Sequence, residues 1–389
     1  MVLKKKIIRY STQKISSEDI KSVSEALKSN FITEGPIISN FEKKLSLYTK
    51  ARAATVVSSG SAALIMACNA LNLKNNFNLW TTPISFVASA NCAFYFGAKV
   101  DFVDINEESF NIDVNKLKKK LEIAKKKNRL PKVLVVVHLG GNPCELSEIK
   151  KLSKKYKFFV IEDASHALGA KYNKIKIGNP KYSDVSILSF HPVKMITTGE
   201  GGALLTNSKN IDNKFKILRS HGIVKEKKYL QNKNLPKWYY EQRYLSSNYR
   251  MTSFQAALGI SQLKKISTFT KIRNKLAQIY EKKLSGLPIR FQKIKKNSIS
   301  SRHLFIILVE DKIRNKLYSF LDKNNIQTNL HYIPIYRHPF YKKFNFNKKN
   351  FKNAEKYYSK ALSIPLHVQL SNKDQNFIIA KIKDFFKNN

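Results

Sequence analysis

Phe158-Phe159-Val160-Ile161-Glu162-Asp163-Ala164-Ser165-His166-Ala167-Leu168-Gly169 is an apolar run that ends in two carboxylates and a string of small residues. Strands without polar alternation are covered on both faces, and open α/β sheets bind ligands at the C-terminal ends of their strands. Similar runs lie at Ala54–Val57, Leu79–Thr82, Val100–Val103, Val133–Val137, Val185–Ser189 and Ala203–Thr206. Most are separated by helix-length segments, so the sequence predicts a mainly parallel α/β sheet. The last two, divided only by the turn Gly199–Gly202, predict a hairpin-like antiparallel member.

Around this sheet the chain divides. At 389 residues it exceeds the ~250–300 at which single cores stop growing. The start Ser16-Ser17-Glu18-Asp19 reads as a capping-box entry to a helix over 16–29, with Ile20, Val23 and Leu27 on one stripe. A long helical pattern at Phe254, Ala257, Leu258 and Leu263 leads into a strand at His303–Leu308 and a Pro-punctuated loop at Tyr332–Pro339. We place a large domain with its N-terminal segment at 1–265 and a small α+β domain at 266–389.

Composition narrows the partners. The 71 Lys+Arg against 27 Asp+Glu give a formal charge of +44. The lysines are scattered, as at Lys118–Lys120 and Lys125–Lys127, without an arginine-rich arm, RNP-type motif or finger spacing, so nucleic acid is not the expected partner. Such a surface still attracts acidic small substrates, diphosphates among them. Apolar runs fall far short of the ~20 residues that span a bilayer. Met1–Tyr10, though basic at Lys4–Lys6, lacks the apolar region of a signal peptide, so a cytoplasmic protein is expected. Cys68, Cys92 and Cys144 share no CxxC spacing and read as reduced core thiols. No metal ligand set recurs at consistent spacing beside Asp163 and His166.

Three stretches carry chemistry. Ser58-Ser59-Gly60-Ser61-Ala62-Ala63-Leu64 follows a strand and enters a helix. It reads equally as a seat for phosphate at a helix N-terminus and as a packing turn. Asp163, at a strand end, suits a protonated ring nitrogen, a metal or a cap, and decides nothing alone. Ser189-Phe190-His191-Pro192-Val193-Lys194 is the most specific: its lysine directly follows a buried strand, an odd place for a solvated cation, though a surface lysine is the plain alternative. Together, an imine-forming lysine, an acid and a phosphate seat match the needs of pyridoxal phosphate.

With Thr198-Gly199-Glu200-Gly201-Gly202, Arg219-Ser220-His221-Gly222 and Asn248-Tyr249-Arg250-Met251-Thr252, these motifs resemble, in order, the sugar-nucleotide aminotransferases of the DegT/DnrJ/EryC1/StrS family. The resemblance runs from about residue 10 to the C-terminus. It implies a fold-type I transferase whose site forms at a homodimer interface. Lys194 would bear the coenzyme, Asp163 would pair with its ring nitrogen and Phe86 would stack on the ring. Gly60, Ser61 and Ser189 would hold the phosphate, Asn248 would reach it from the other subunit, and His166 would lie beside the ring.

Tyr10-Ser11-Thr12-Gln13, Asn30–Pro36, Thr81–Phe86 and His331-Tyr332-Ile333-Pro334 look most like the branch that aminates a UDP-linked 4-keto-6-deoxy-N-acetylhexosamine on the way to pseudaminic acid, with glutamate as donor. Tyr10, Thr33, Tyr249, His331 and Tyr332 would then lie near the sugar nucleotide. Two residues depart from the family pattern: Ser253 stands where an acid is often found, and Ser165 follows Asp163-Ala164. Other keto nucleotide sugars, a coenzyme-binding regulator without turnover and a polyanion-binding module are the competing readings. A dehydratase relative that carries histidine in place of the lysine is disfavoured by Lys194.

Overall fold

The computed structural model describes residues 7–232 and 234–388, so Lys4–Lys6 lie outside the described residues. Seven strands form the main sheet: β1 (Ala53–Val57), β2 (Asn78–Thr81), β3 (Lys99–Phe102), β4 (Val133–Val137), β5 (Phe159–Asp163), β6 (Val185–Ser189) and β7 (Gly202–Thr206). Their spatial order is β1-β7-β6-β5-β4-β2-β3. From β6 to β3 every pairing is parallel, whereas β7 runs antiparallel to both β6 and β1. The apolar runs thus occupy the sheet as expected, and buried apolar clusters cover both of its faces.

Registry at one edge assembles the site. Gly202 pairs with Val57 on one side and Ser189 on the other, so the end of β1 lies one strand away from the end of β6. A Cβ on Gly202 would stand 2.5 Å from the Ser59 carbonyl, and one on Gly60 would stand 2.9 Å from Ser189 Cβ. Cβ atoms do not tolerate such approaches, so two glycines let the turn after β1 close onto β6.

The first helix, α1 (Ser17–Leu27), has its capping box: Ser16 N–H donates to Asp19 Oδ2 at 2.9 Å. Its stripe, however, faces outward. Ile20 and Leu27 are exposed, while Asp19 and Ala26 are buried. The reason is electrostatic: Asp19 turns inward to meet Lys265 Nζ at 2.8 Å and Gln262 Nε2 at 2.7 Å. The helical pattern after Arg250 is also two helices rather than one, α3 (Ser253–Lys264) and α4 (Ile266–Leu284), with α2 (Gly60–Ala70) earlier in the chain. A full capping box at Thr252 and Gln255 starts α3.

Beyond α4, a second sheet contains β8 (Arg290–Phe291), β9 (Phe305–Leu308) and β10 (Ala361–Ile364), all antiparallel. Ile8 from the N-terminal segment joins its core and bridges to Ile326. A further apolar cluster joins Ile84, Phe102 and Leu139 of the main sheet region to Ile306, Tyr336 and Tyr357, fixing the second sheet over the C-terminal ends of the parallel strands. All three cysteines are buried and unpaired. Among the described residues, no helix is long and apolar enough to cross a membrane.

Candidate active site

Between the two sheets lies a cavity of about 760 Å³. Of the predicted site residues, Gly60, Ser61, Phe86, Asp163, His166, Ser189, Lys194, Tyr10, His331 and Tyr332 line it. Thr33, Asn248 and Tyr249 do not. Thr33 is exposed and bridges to Thr252, and Asn248 is exposed on the protein surface. Tyr249 is half-buried, its carbonyl accepting from Ser58 N–H at 2.8 Å, and packs behind the turn after β1. Within one chain, therefore, three of the expected contacts are missing from the cavity wall.

Strand alternation separates the two carboxylates that end β5. Glu162 is committed away from the cavity, accepting from Ser183 Oγ at 2.5 Å and pairing with His138 Nε2 at 3.1 Å. Because Cys144 N–H donates to His138 Nδ1 at 3.0 Å, the His138 proton sits on Nε2 and points at Glu162. Asp163 instead lines the cavity, with Oδ2 accepting from Ser89 Oγ at 2.7 Å and Oδ1 from Ser165 N–H at 3.2 Å. Ser85 Oγ, 2.8 Å from Ser89 Oγ, extends the chain of hydroxyls. The departure Ser165 thus contributes through its backbone.

Lys194 is held by its loop rather than by a partner. Phe190, fully buried, donates its amide to Gly201 O at 2.8 Å and accepts from Thr198 N at 2.9 Å, folding residues 190–201 back on themselves. Met195 and Ile196 enter the core on the next residues. The amine is left facing the cavity, where burial lowers its pKa to about 8, and the attraction of Asp163 opposes that fall. The stretch expected to seat a phosphate is the start of α2, where Ser59 Oγ accepts from Ala62 N–H at 3.0 Å and Gly60 and Ser61 line the cavity beside Ser189.

The wall above comes from the second sheet region. His331 Nδ1 lies 2.9 Å from Ser363 Oγ, and its carbonyl accepts from Tyr357 Oη at 2.5 Å. Its ring lies 5.4 Å from that of Tyr10. Burial lowers the His331 pKa to about 3, with Lys194 adding to the fall. Phe86 is 58% exposed, and its ring faces Tyr332 at 6.2 Å. Sequence reasoning missed Ser89, Glu200 and His303. Ser89 carries no local signal, and His303 reads only as the first residue of a strand.

The residues fit pyridoxal phosphate. Close packing at Gly202 and Gly60 sets a helix N-terminus on the cavity, a buried carboxylate with fixed donors suits a ring nitrogen, and a lysine amine with a depressed pKa lines the same cavity. Fold and site therefore define a pyridoxal-phosphate-dependent aminotransferase.

Comparison agrees. Residues 13–383 match the model of the DegT/DnrJ/EryC1/StrS aminotransferase family, and the chain belongs to that family. It is 40% identical over 377 residues to the UDP-4-amino-4,6-dideoxy-N-acetyl-beta-L-altrosamine transaminase of Campylobacter jejuni, covering 96% of each chain. Among solved structures it is similar to Helicobacter pylori PseC, an aminotransferase involved in the biosynthesis of pseudoaminic acid, with a TM-score of 0.89, 32% identity and coverage of 99% of this chain and 100% of that one. A further similar structure is the PLP form of Streptococcus pneumoniae Spr1654, at TM-score 0.88 and 26% identity, covering 98% of this chain and 99% of that one.

Proposed function

We propose that this enzyme moves the amine of glutamate to the C4 ketone of a UDP-linked 4-keto-6-deoxy-N-acetylhexosamine, a step toward pseudaminic acid. The observation that carries the reading is the convergence of Lys194, Asp163 and the Gly60-Ser61 turn on one cavity. The names borne by the Campylobacter and Helicobacter relatives support the sugar.

The coenzyme, when bound, supplies a carbon that carries the amine between the two half-reactions and a ring that draws off an electron pair. Asp163, held by Ser89 and Ser165, would pair with its ring nitrogen. The Gly60 and Ser61 amides and the Ser189 hydroxyl would hold the phosphate, and Phe86 would stack on the ring. Lys194 Nζ takes the proton from the donor's α-carbon and later returns one to C4 of the sugar; a pKa near neutrality suits both directions. Tyr10, His331 and Tyr332 flank the sugar.

A homodimer completes the site in this reading. Among the described residues no arginine lines the cavity, although substrate and donor are both anionic. Asn248, Tyr249 and Thr33 lie outside it; Thr33 directly follows the exposed Phe31 and Ile32, and Asn248 and Tyr249 follow a segment that carries exposed Trp238, Tyr240 and Leu245. A second copy covering these residues brings Asn248 to the phosphate. The division at 265/266 and a cytoplasmic location belong to the same reading.

The test is to incubate the purified protein with glutamate and a panel of 4-keto and 3-keto nucleotide sugars and to weigh the products. The reading expects an aminated UDP-4,6-dideoxy-N-acetylhexosamine in preference to the others. Amination of a different keto sugar alone refutes the substrate assignment, and no amination at all refutes the function.

A further inference from the structure

His303 has no role in the reading above. It precedes β9, lines the cavity and is only 2% exposed. Its ring lies 4.3 Å from that of His166, and its Nδ1 is sealed from solvent without a hydrogen-bond partner. Its backbone is fixed: the carbonyls of Arg302 and His303 accept from Arg273 Nη1 at 3.3 and 3.1 Å, and Leu366 O accepts from the same nitrogen at 2.7 Å.

Proton placement follows from these contacts. A sealed nitrogen with no acceptor is the poorer place for an N–H, so the His303 proton belongs on Nε2. His166 has the same tautomer for a different reason: Gly140 N–H donates to its Nδ1 at 3.3 Å, leaving Nε2–H to face Tyr332 Oη at 3.1 Å. With Tyr332 accepting that hydrogen, its own hydroxyl proton is free to point elsewhere. Burial first, and then the nearby charges of Lys194 and Arg273 and the rings of His166 and His331, hold His303 well below the usual imidazole range, so it stays a neutral donor. The remaining ionisable groups that line the cavity are Tyr10, Asp163, His191, Glu200 and His338.

We propose that His303 Nε2–H and the Tyr332 hydroxyl together form a neutral donor pair for an anionic oxygen bound beside His166. This rests on the aminotransferase reading, which supplies two such oxygens: the phenolic oxygen of the coenzyme and a carboxylate of the amino donor. His303 is thereby a binding residue that contacts one of them. Fixed neutral donors in a dry site stabilise an anion without competing for its proton.

Three proteins test this: wild type, His303→Phe, which keeps a flat ring on His166 without the N–H, and His303→Gln, which keeps an N–H donor. Two quantities are read on coenzyme-loaded protein, namely the pH midpoint of its visible absorbance and the glutamate concentration that half-saturates the first half-reaction. A hydrogen bond to a charged group corresponds to roughly tenfold or more. If the oxygen is the coenzyme's, His303→Phe moves the midpoint by about one pH unit or more. If it is the donor's, the half-saturating concentration rises by about tenfold or more while the midpoint stays. His303→Gln recovers most of either effect.

A folded, loaded His303→Phe enzyme unchanged in both quantities overturns the proposal, as does His303→Gln behaving like His303→Phe. Should His303→Phe fail to fold, nitrogen-15 spectra of wild-type histidines decide: an Nε2–H tautomer at His303 whose signal moves on adding pyridoxal phosphate or glutamate supports it, and a signal indifferent to both overturns it. A wild-type protein that never acquires the coenzyme's visible band instead sinks the aminotransferase reading itself.

Discussion

Capture of pyridoxal phosphate by the coenzyme-free enzyme requires Lys194 as a free amine, and the structure sets how much of it exists. An ordinary lysine with pKa near 10.5 is neutral in about one molecule in three thousand at pH 7. At the pKa of about 8 that burial imposes here, roughly a tenth is neutral, about a three-hundred-fold gain. The capture rate should therefore rise almost tenfold from pH 6 to 7 and level off above about 8. Asp163 raises the Lys194 pKa, so Asp163→Asn should move the midpoint down even as it weakens coenzyme binding. Stopped-flow absorbance at fixed coenzyme, with a simple amine run in parallel as baseline for the coenzyme's own ionisations, measures both. A midpoint near 10, a rate flat across this range, or an upward shift in Asp163→Asn would refute the desolvation account.

Two further outcomes follow from packing and assembly. Gly202→Ala puts a methyl 2.5 Å from the rigid Ser59 carbonyl, so the turn after β1 must move; the dissociation constant for pyridoxal phosphate should rise about tenfold or more. Gly286→Ala, which meets nothing within 4 Å, should leave it unchanged in the same equilibrium titration. If the site is shared between subunits, mixing inactive Lys194→Ala with inactive Asn248→Ala by unfolding and refolding them together should restore about a quarter of wild-type turnover, because half the dimers then carry one intact site of two. No recovery, with hybrid dimers shown by native mass measurement, would place Asn248 outside the partner's site.

Much of this was legible in residues. The apolar runs named the strands because a doubly covered sheet leaves no polar alternation, and Lys194 after β6 stood out because buried loops rarely hold a cation. What stayed hidden was long-range. Residue types alone do not say which of Glu162 and Asp163 faces the ligand, and only the resemblance singled out Asp163; physically it is decided by Ser183 and His138 on one side and Ser89 on the other. The stripe on α1 pointed the wrong way for the single chain because Lys265 and Gln262, some 245 positions later, draw Asp19 inward. His303 gave no signal because its sealed nitrogen is visible only once the second sheet covers the first.

The cavity is stitched from nearly the whole length of the chain, since Tyr10 meets His331 and Phe86 meets Tyr332. Contacts this distant in sequence slow folding. Acquisition of the yellow coenzyme is then a natural checkpoint on maturation, because a half-made chain has a lysine but nowhere to seat what it must catch. Variants that stall folding anywhere in either sheet will be recovered pale, however far they lie from the chemistry.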